Sequence, residues 1–105
     1  MSNIKLVYIT CKNAREANHI AKKLLKNKLV ACSNIISNVT SIFKWSNKFT
    51  KSKESILIAK TINSKRKKII NIVLKIHSYS NPCIVFFNID ESSKLFTNWI
   101  QNCLK

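Results

Sequence analysis

Glycine is absent from all 105 residues, and proline occurs once, at Pro82. Loops that cradle phosphate need glycine where backbone N–H groups close on the anion, so dinucleotide-binding and P-loop chemistry are excluded. Acidic residues number four: Glu16, Glu54, Asp90 and Glu91. Glu16, Asp90 and Glu91 fall near helix starts, where negative charge suits the macrodipole, and no carboxylate pair is left for acid-base catalysis. The four cysteines, Cys11, Cys32, Cys83 and Cys103, form neither a CxxC pair nor a zinc-finger spacing. They are expected as free thiols in a reducing compartment, with packing as their default role. Long apolar runs are also missing. After Met1-Ser2-Asn3 comes a short apolar stretch broken by Lys5, which predicts no signal peptide, no transmembrane helix and a cytoplasmic protein without membrane contact.

What the chain has in excess is positive charge, a net +15 from 19 lysines and arginines. Such a balance points to a polyanion such as RNA or DNA. A competing account lies in the composition, because isoleucine, asparagine and lysine supply 46 of the 105 residues while arginine supplies two. Those three residues have AT-rich codons and glycine has GC-rich ones, so drift in base composition accounts for the lysines, which are scattered along the chain. Nucleic acid is therefore not the expected partner. With 46% hydrophobic and 22% charged residues, the chain fills one core without disulfides or a structural metal, and residues 1–105 form a single domain.

The pattern resolves into alternating elements. Residues 4–10 are apolar and rich in β-branched types, the mark of a buried strand. Asn13 followed by Glu16 reads as a helix start, and Ala14, Ala17, Ala21, Leu24 and Leu25 recur at helical spacing over residues 14–26. Asn27 takes the left-handed cap where glycine is usual. Residues 30–45 read as one long strand with a bend or bulge at Ser37-Asn38, residues 46–53 as a polar turn, and residues 54–60 as the returning strand of a hairpin. At about 3.3 Å per residue, the stretch from Leu29 to Trp45 is too long for one small domain to cover, so it predicts a neighbouring subunit. Asn63-Ser64 caps a second helix with the stripe Ile69, Ile72, Val73 and Ile76. After a loop over residues 77–82 comes an apolar, central strand at residues 83–89, and Ser92 or Ser93 opens a last helix carrying Leu95, Phe96, Trp99 and Cys103. The order β-α-β-β-α-β plus a C-terminal helix is α+β, the ferredoxin-like split βαβ sandwich, with both main helices on one face of a four-stranded antiparallel sheet. The other face is left apolar and uncovered, which again asks for a partner.

Two chemistries remain open for this frame. His77 and Cys83 are the only histidine and thiol close in sequence, a weak signal for a cysteine nucleophile and a better one for a soft or borderline metal such as copper or zinc. The simpler account makes His77 a cation at a helix C-terminus and Cys83 the start of a buried strand. RNA recognition on this fold uses aromatics of central strands, here Tyr8, Phe86 and Phe87, but the glycine-containing signature is missing and a subunit interface uses the same rings.

Specific fragments add to this reading: Thr10 with Ala17, Ile20, Ala21 and Leu24; Leu29-Val30-Ala31-Cys32 with Asn34; Ser41-Ile42-Phe43-Lys44-Trp45; Glu54; Lys60-Thr61; His77-Ser78-Tyr79; Pro82-Cys83-Ile84; and Phe96-Thr97-Asn98-Trp99-Ile100. In this order the chain from Val7 to Trp99 resembles the CutA divalent-cation tolerance proteins. The resemblance implies a compact homotrimer whose long second and third strands interlock, linked to tolerance of divalent metals, chiefly copper, and not an enzyme. Phe43, Trp45, Tyr79 and Trp99 are then the expected interface residues. No cofactor is required, and copper is the expected metal. The copper ligands proposed for the family are a cysteine ending the first strand, a histidine pair before the tyrosine and a glutamate after the proline. Here those positions read Ile9, Ile76 with His77, and Cys83. His77 alone keeps its type; Cys83 offers a softer thiolate that favours Cu(I), and Cys11 lies two residues past Ile9 on the same strand face. The metal candidates are therefore His77, Cys83 and Cys11. Asn47 and Ser92 stand where the family uses glycine, which predicts positive φ at both. A nucleic-acid module and a trimeric small-ligand sensor with sites between subunits are the alternatives.

Overall fold

The computed structural model describes residues 3–105. Its elements are β1 (Ile4–Cys11), α1 (Ala14–Lys26), β2 (Cys32–Trp45), β3 (Lys48–Ile62), α2 (Arg66–Ile76), β4 (Ile84–Asn88) and α3 (Lys94–Cys103). The four strands form one antiparallel sheet in the order β2-β3-β1-β4, as the split βαβ pattern requires. β4 is thus an edge strand and not a central one; among the described residues it pairs only with β1, and its apolar run comes from being covered on the helix side and bare on the other.

Strand alternation divides the sheet. Val7, Ile9 and Cys11 of β1 and Leu57 and Ala59 of β3 are fully buried beneath α1 and α2, which contribute Ala17, Ile20, Leu24, Ile69 and Val73 to the same core. On the opposite face Tyr8, Ile58 and Val85 are cross-strand neighbours, as are Leu6 and Phe87. Tyr8 and Phe87 lie 6.2 Å apart between ring centroids, while Phe86 packs toward the helix-side core. Val85 and Phe87 remain 40% and 50% exposed, so part of this apolar face is bare in the single chain. A smaller core of Ile4, Ile100 and Leu104 docks α3 against the sheet.

α1 begins as its sequence predicts. The Asn13 side chain accepts the Glu16 N–H at 2.9 Å, and the Glu16 carboxylate reaches back to the Lys12 N–H at 2.8 Å. At the other end the left-handed residue is Lys28 (φ 55°), not Asn27, which closes the helix at φ −91° with its side-chain amide on the Lys23 carbonyl. The second helix differs too: Asn63–Lys65 form a 3-10 turn, and α2 starts at Arg66 without a side-chain cap. Ser93 caps α3 through the Phe96 N–H.

The largest departure is the hairpin. The polar run after Trp45 is a strand, because β2 and β3 pair from Trp45↔Lys48 through Ile36↔Ile56, and the turn is only Ser46-Asn47. Both turn residues have positive φ (51° and 64°), the twist that a two-residue hairpin demands. Ser92, by contrast, is not among the left-handed residues. The bulge falls where expected: Ser37 and Asn38 (φ 58°) together oppose Ser55, shifting the register between Ile36 and Val39. Beyond it the two strands form an arm that stretches the molecule to 46 × 26 × 22 Å. Ile42, Phe43, Trp45 and Phe49 on this arm are 62%, 42%, 71% and 84% exposed.

Candidate metal centre

The site lies where β1 ends, α1 begins and α2 gives way to its following loop. Cys11 is the last residue of β1 and faces the helices; Glu16 belongs to the first turn of α1; His77 follows α2 with its N–H on the Val73 carbonyl at 2.8 Å. Capping dictates much of this. Because Asn13 and Glu16 share the α1 N-terminus, the carboxylate is drawn back over the strand end, toward Cys11.

One sulfur of Cys11, one carboxylate oxygen of Glu16 and one ring nitrogen of His77 lie within 4.8 Å of one another. His77 is fixed at both ring nitrogens. Nε2 stands 2.8 Å from the Thr10 carbonyl, which can only accept, so Nε2 carries the proton and donates. Nδ1 is then the unprotonated nitrogen. It accepts the Tyr79 N–H at 3.0 Å and lies 4.0 Å from Glu16 Oε1. Glu16 Oε2 accepts the Ser78 N–H at 2.7 Å, and the Tyr79 hydroxyl donates to Glu54 Oε2 at 2.6 Å.

The electrostatics follow from this crowding. Burial, then the charges of Glu16 and Glu54, pushes the Cys11 thiol up to about 12 from 9.0. Burial also acts to raise Glu16, but the hydrogen bonds from Lys12 and Ser78 outweigh it and hold the carboxyl below its ordinary 4.5. Tyr79 is raised well above 10.0 by burial, by its bond to Glu54 and by the neighbouring carboxylates.

Thiolate, imidazole and carboxylate are a donor set that suits zinc or copper. Three atoms so close leave a point within roughly 2.8 Å of each, near the ~2.0–2.3 Å of zinc–ligand bonds. The Nε2–H bond to a backbone carbonyl is the outer contact that orients a metal-ligating histidine. Against binding stand the proton on Cys11 and the Tyr79 N–H on Nδ1. Of the residues that the sequence brought forward, Cys11 and His77 meet here. Cys83 does not. Its carbonyl accepts the Thr10 N–H at 3.3 Å, and the β1–β4 register sets it beside Thr10, one residue out of phase with Cys11 and on the uncovered face. Glu16 joins them although its sequence context reads as helix capping; the signal for it is the capping arrangement itself, which places a carboxylate beside the strand end. Trp99 is 46% exposed and stacks on Phe96, with 5.7 Å between centroids.

A family model described as CutA1 divalent ion tolerance protein matches residues 5–103. A divalent-cation tolerance protein CutA of Archaeoglobus fulgidus is 37% identical over 99 residues, covering 94% of this chain and 96% of that protein. The Xenopus laevis CutA homologue is 31% identical over 98 residues, and this chain spans 65% of its length. Among solved structures, the divalent ion tolerance protein CutA1 of Ehrlichia chaffeensis superposes with a TM-score of 0.94 at 34% identity, over 100% of this chain and 98% of that one. A periplasmic divalent cation tolerance protein CutA from Archaeoglobus fulgidus gives 0.93 at 36%, over 97% and 99%.

Proposed function

Because the chain belongs to the CutA1 divalent ion tolerance family, we propose that it serves divalent-metal tolerance as a non-enzymatic, metal-binding homotrimer, with copper as its ion. The observation that carries the metal half is the convergence of Cys11, Glu16 and His77 within 4.8 Å. Binding asks Cys11 to release its thiol proton to water, Glu16 to turn one oxygen inward, and His77 to offer Nδ1 while Nε2–H stays on Thr10. Cys83 takes no part in this set, because it lies across the sheet. The bound ion would be held by one soft and two harder donors, a set that serves capture.

The assembly half rests on the uncovered sheet face and on the arm, whose Phe43 and Trp45 expose apolar surface that a lone chain has no means of covering. Tyr79 and Trp99 join them as interface residues. A cytoplasmic location suits the four free thiols, which a reducing compartment preserves; among the described residues no helix is long and apolar enough to cross a membrane.

Titration of the reduced protein with copper tests the site. Binding is expected to be lost in Cys11→Ser and His77→Ala, weakened in Glu16→Gln, and retained in Cys83→Ser. Tight binding that survives both Cys11→Ser and His77→Ala would overturn the assignment.

A further inference from the structure

The atoms assigned to metal also hold a loop. His77 Nδ1 accepts the Tyr79 N–H, and Glu16 Oε2 accepts the Ser78 N–H, so two successive backbone donors are tied to two of the three ligands. A third tie, from the Tyr79 hydroxyl to Glu54, fastens the same loop to β3. The imidazole has a single lone pair, and Nε2–H is committed to the Thr10 carbonyl. Coordination through Nδ1 therefore displaces the Tyr79 N–H. The carboxylate differs, since it has lone pairs enough for both a metal and the Ser78 N–H.

From this competition we infer that Tyr79 and Glu54 are positioning residues that set the affinity of the site, by holding the loop closed over Nδ1 until metal displaces it. The inference rests on the metal reading above. Each bond that stabilises the closed loop is a cost to binding, so loosening the loop tightens metal. A loop that merely presented His77 to metal would give the opposite sign, because loosening it would scatter the ligand.

The test uses zinc(II), which is redox-inert, with the full-length reduced protein. Zinc affinity is measured by competition with a chelating dye for the wild type and for Tyr79→Phe, which removes the tie to Glu54 but keeps the backbone N–H. Affinity is expected to rise about 3- to 10-fold, as for the loss of one opposing hydrogen bond. In the wild type, saturating zinc should speed hydrogen exchange of the Tyr79 amide by a similar factor, while core amides such as Leu57 keep their protection and report that the fold is intact. Unchanged or weaker zinc affinity in Tyr79→Phe, or a Tyr79 amide still protected with zinc bound, overturns the coupling alone. Failure of the wild type to bind zinc overturns the metal site and this inference with it.

Discussion

Trp45 decides whether the arm belongs to a monomer or to an assembly. It is the last residue of β2, opposite Lys48 across the two-residue turn, and 71% of its surface is exposed in the single chain. An aromatic side chain buries roughly 150–250 Å² when covered, so roughly 110–180 Å² remains to be removed from water. At ~25 cal/mol per Å² this is an upper bound of roughly 3–4 kcal/mol, of which about 2 kcal/mol survives the ordering costs of association. Three copies act together in a trimer. Trp45→Ala should therefore weaken the overall three-body association by about 6 kcal/mol, about 10⁴-fold, while leaving the stability of the isolated fold within ~0.5 kcal/mol. Sedimentation equilibrium over a wide concentration range reads this directly against the 12.1 kDa chain mass. A wild type that stays monomeric at micromolar concentration refutes the assembly; a variant that assembles as tightly as the wild type refutes the role of Trp45.

Other outcomes follow from single residues. The buried Thr61 hydroxyl donates to the Leu29 carbonyl at 2.6 Å, so Thr61→Val should cost ~1–3 kcal/mol in denaturant unfolding by leaving that acceptor unpaired. Lys28 holds φ 55° with a Cβ, so Lys28→Gly should raise stability by roughly 0.5–1 kcal/mol in the same assay, and a loss would refute the strain argument. Glu16 has a folded pKa below its ordinary 4.5, so its contribution is complete above that value and drains away as pH falls through the lower folded value. Thermal midpoints measured toward acid should accordingly fall less steeply in Glu16→Gln, with His77, Cys11 and Glu54 unchanged around it. Alkylation at mildly alkaline pH should label exposed Cys83 first and Cys11 last, since Cys11 is buried and its thiol is pushed up to about 12.

Much of the fold was legible because its period signals are local. The stripe Ala17, Ala21 and Leu24 sets α1 to the residue, and the β-branched run sets β1. The arm was not legible in the same way. From Lys48 to Lys53 the returning strand is polar, and a polar segment read alone looks like a turn. Its strand character comes from pairing with β2, a non-local cause. The unusual start of α2 and the edge position of β4 share that origin: Asn63 gives its N–H to the Asn3 carbonyl instead of capping the helix by its side chain, and β4 has one neighbour because β3 already occupies the other side of β1.

The candidate site shows where sequence proximity misleads. Cys83 lies six positions from His77 and looked like its partner, whereas Cys11 lies far away in the chain and Glu16 looked like a capping residue. Pairing inverts that order. The β1–β4 register makes Thr10 the neighbour of Cys83, and because side chains alternate, the next residue, Cys11, points to the opposite face, under His77. One residue of phase separates the two thiols. A shift of β4 by a single position would carry Cys83 to the helix side and turn Ile84 and Phe86 away from the core, so the same alternation that builds the hydrophobic interior also selects which cysteine meets the histidine. Packing therefore sets which thiol can reach His77, and comparing Cys11→Ser with Cys83→Ser tests that constraint as much as the chemistry.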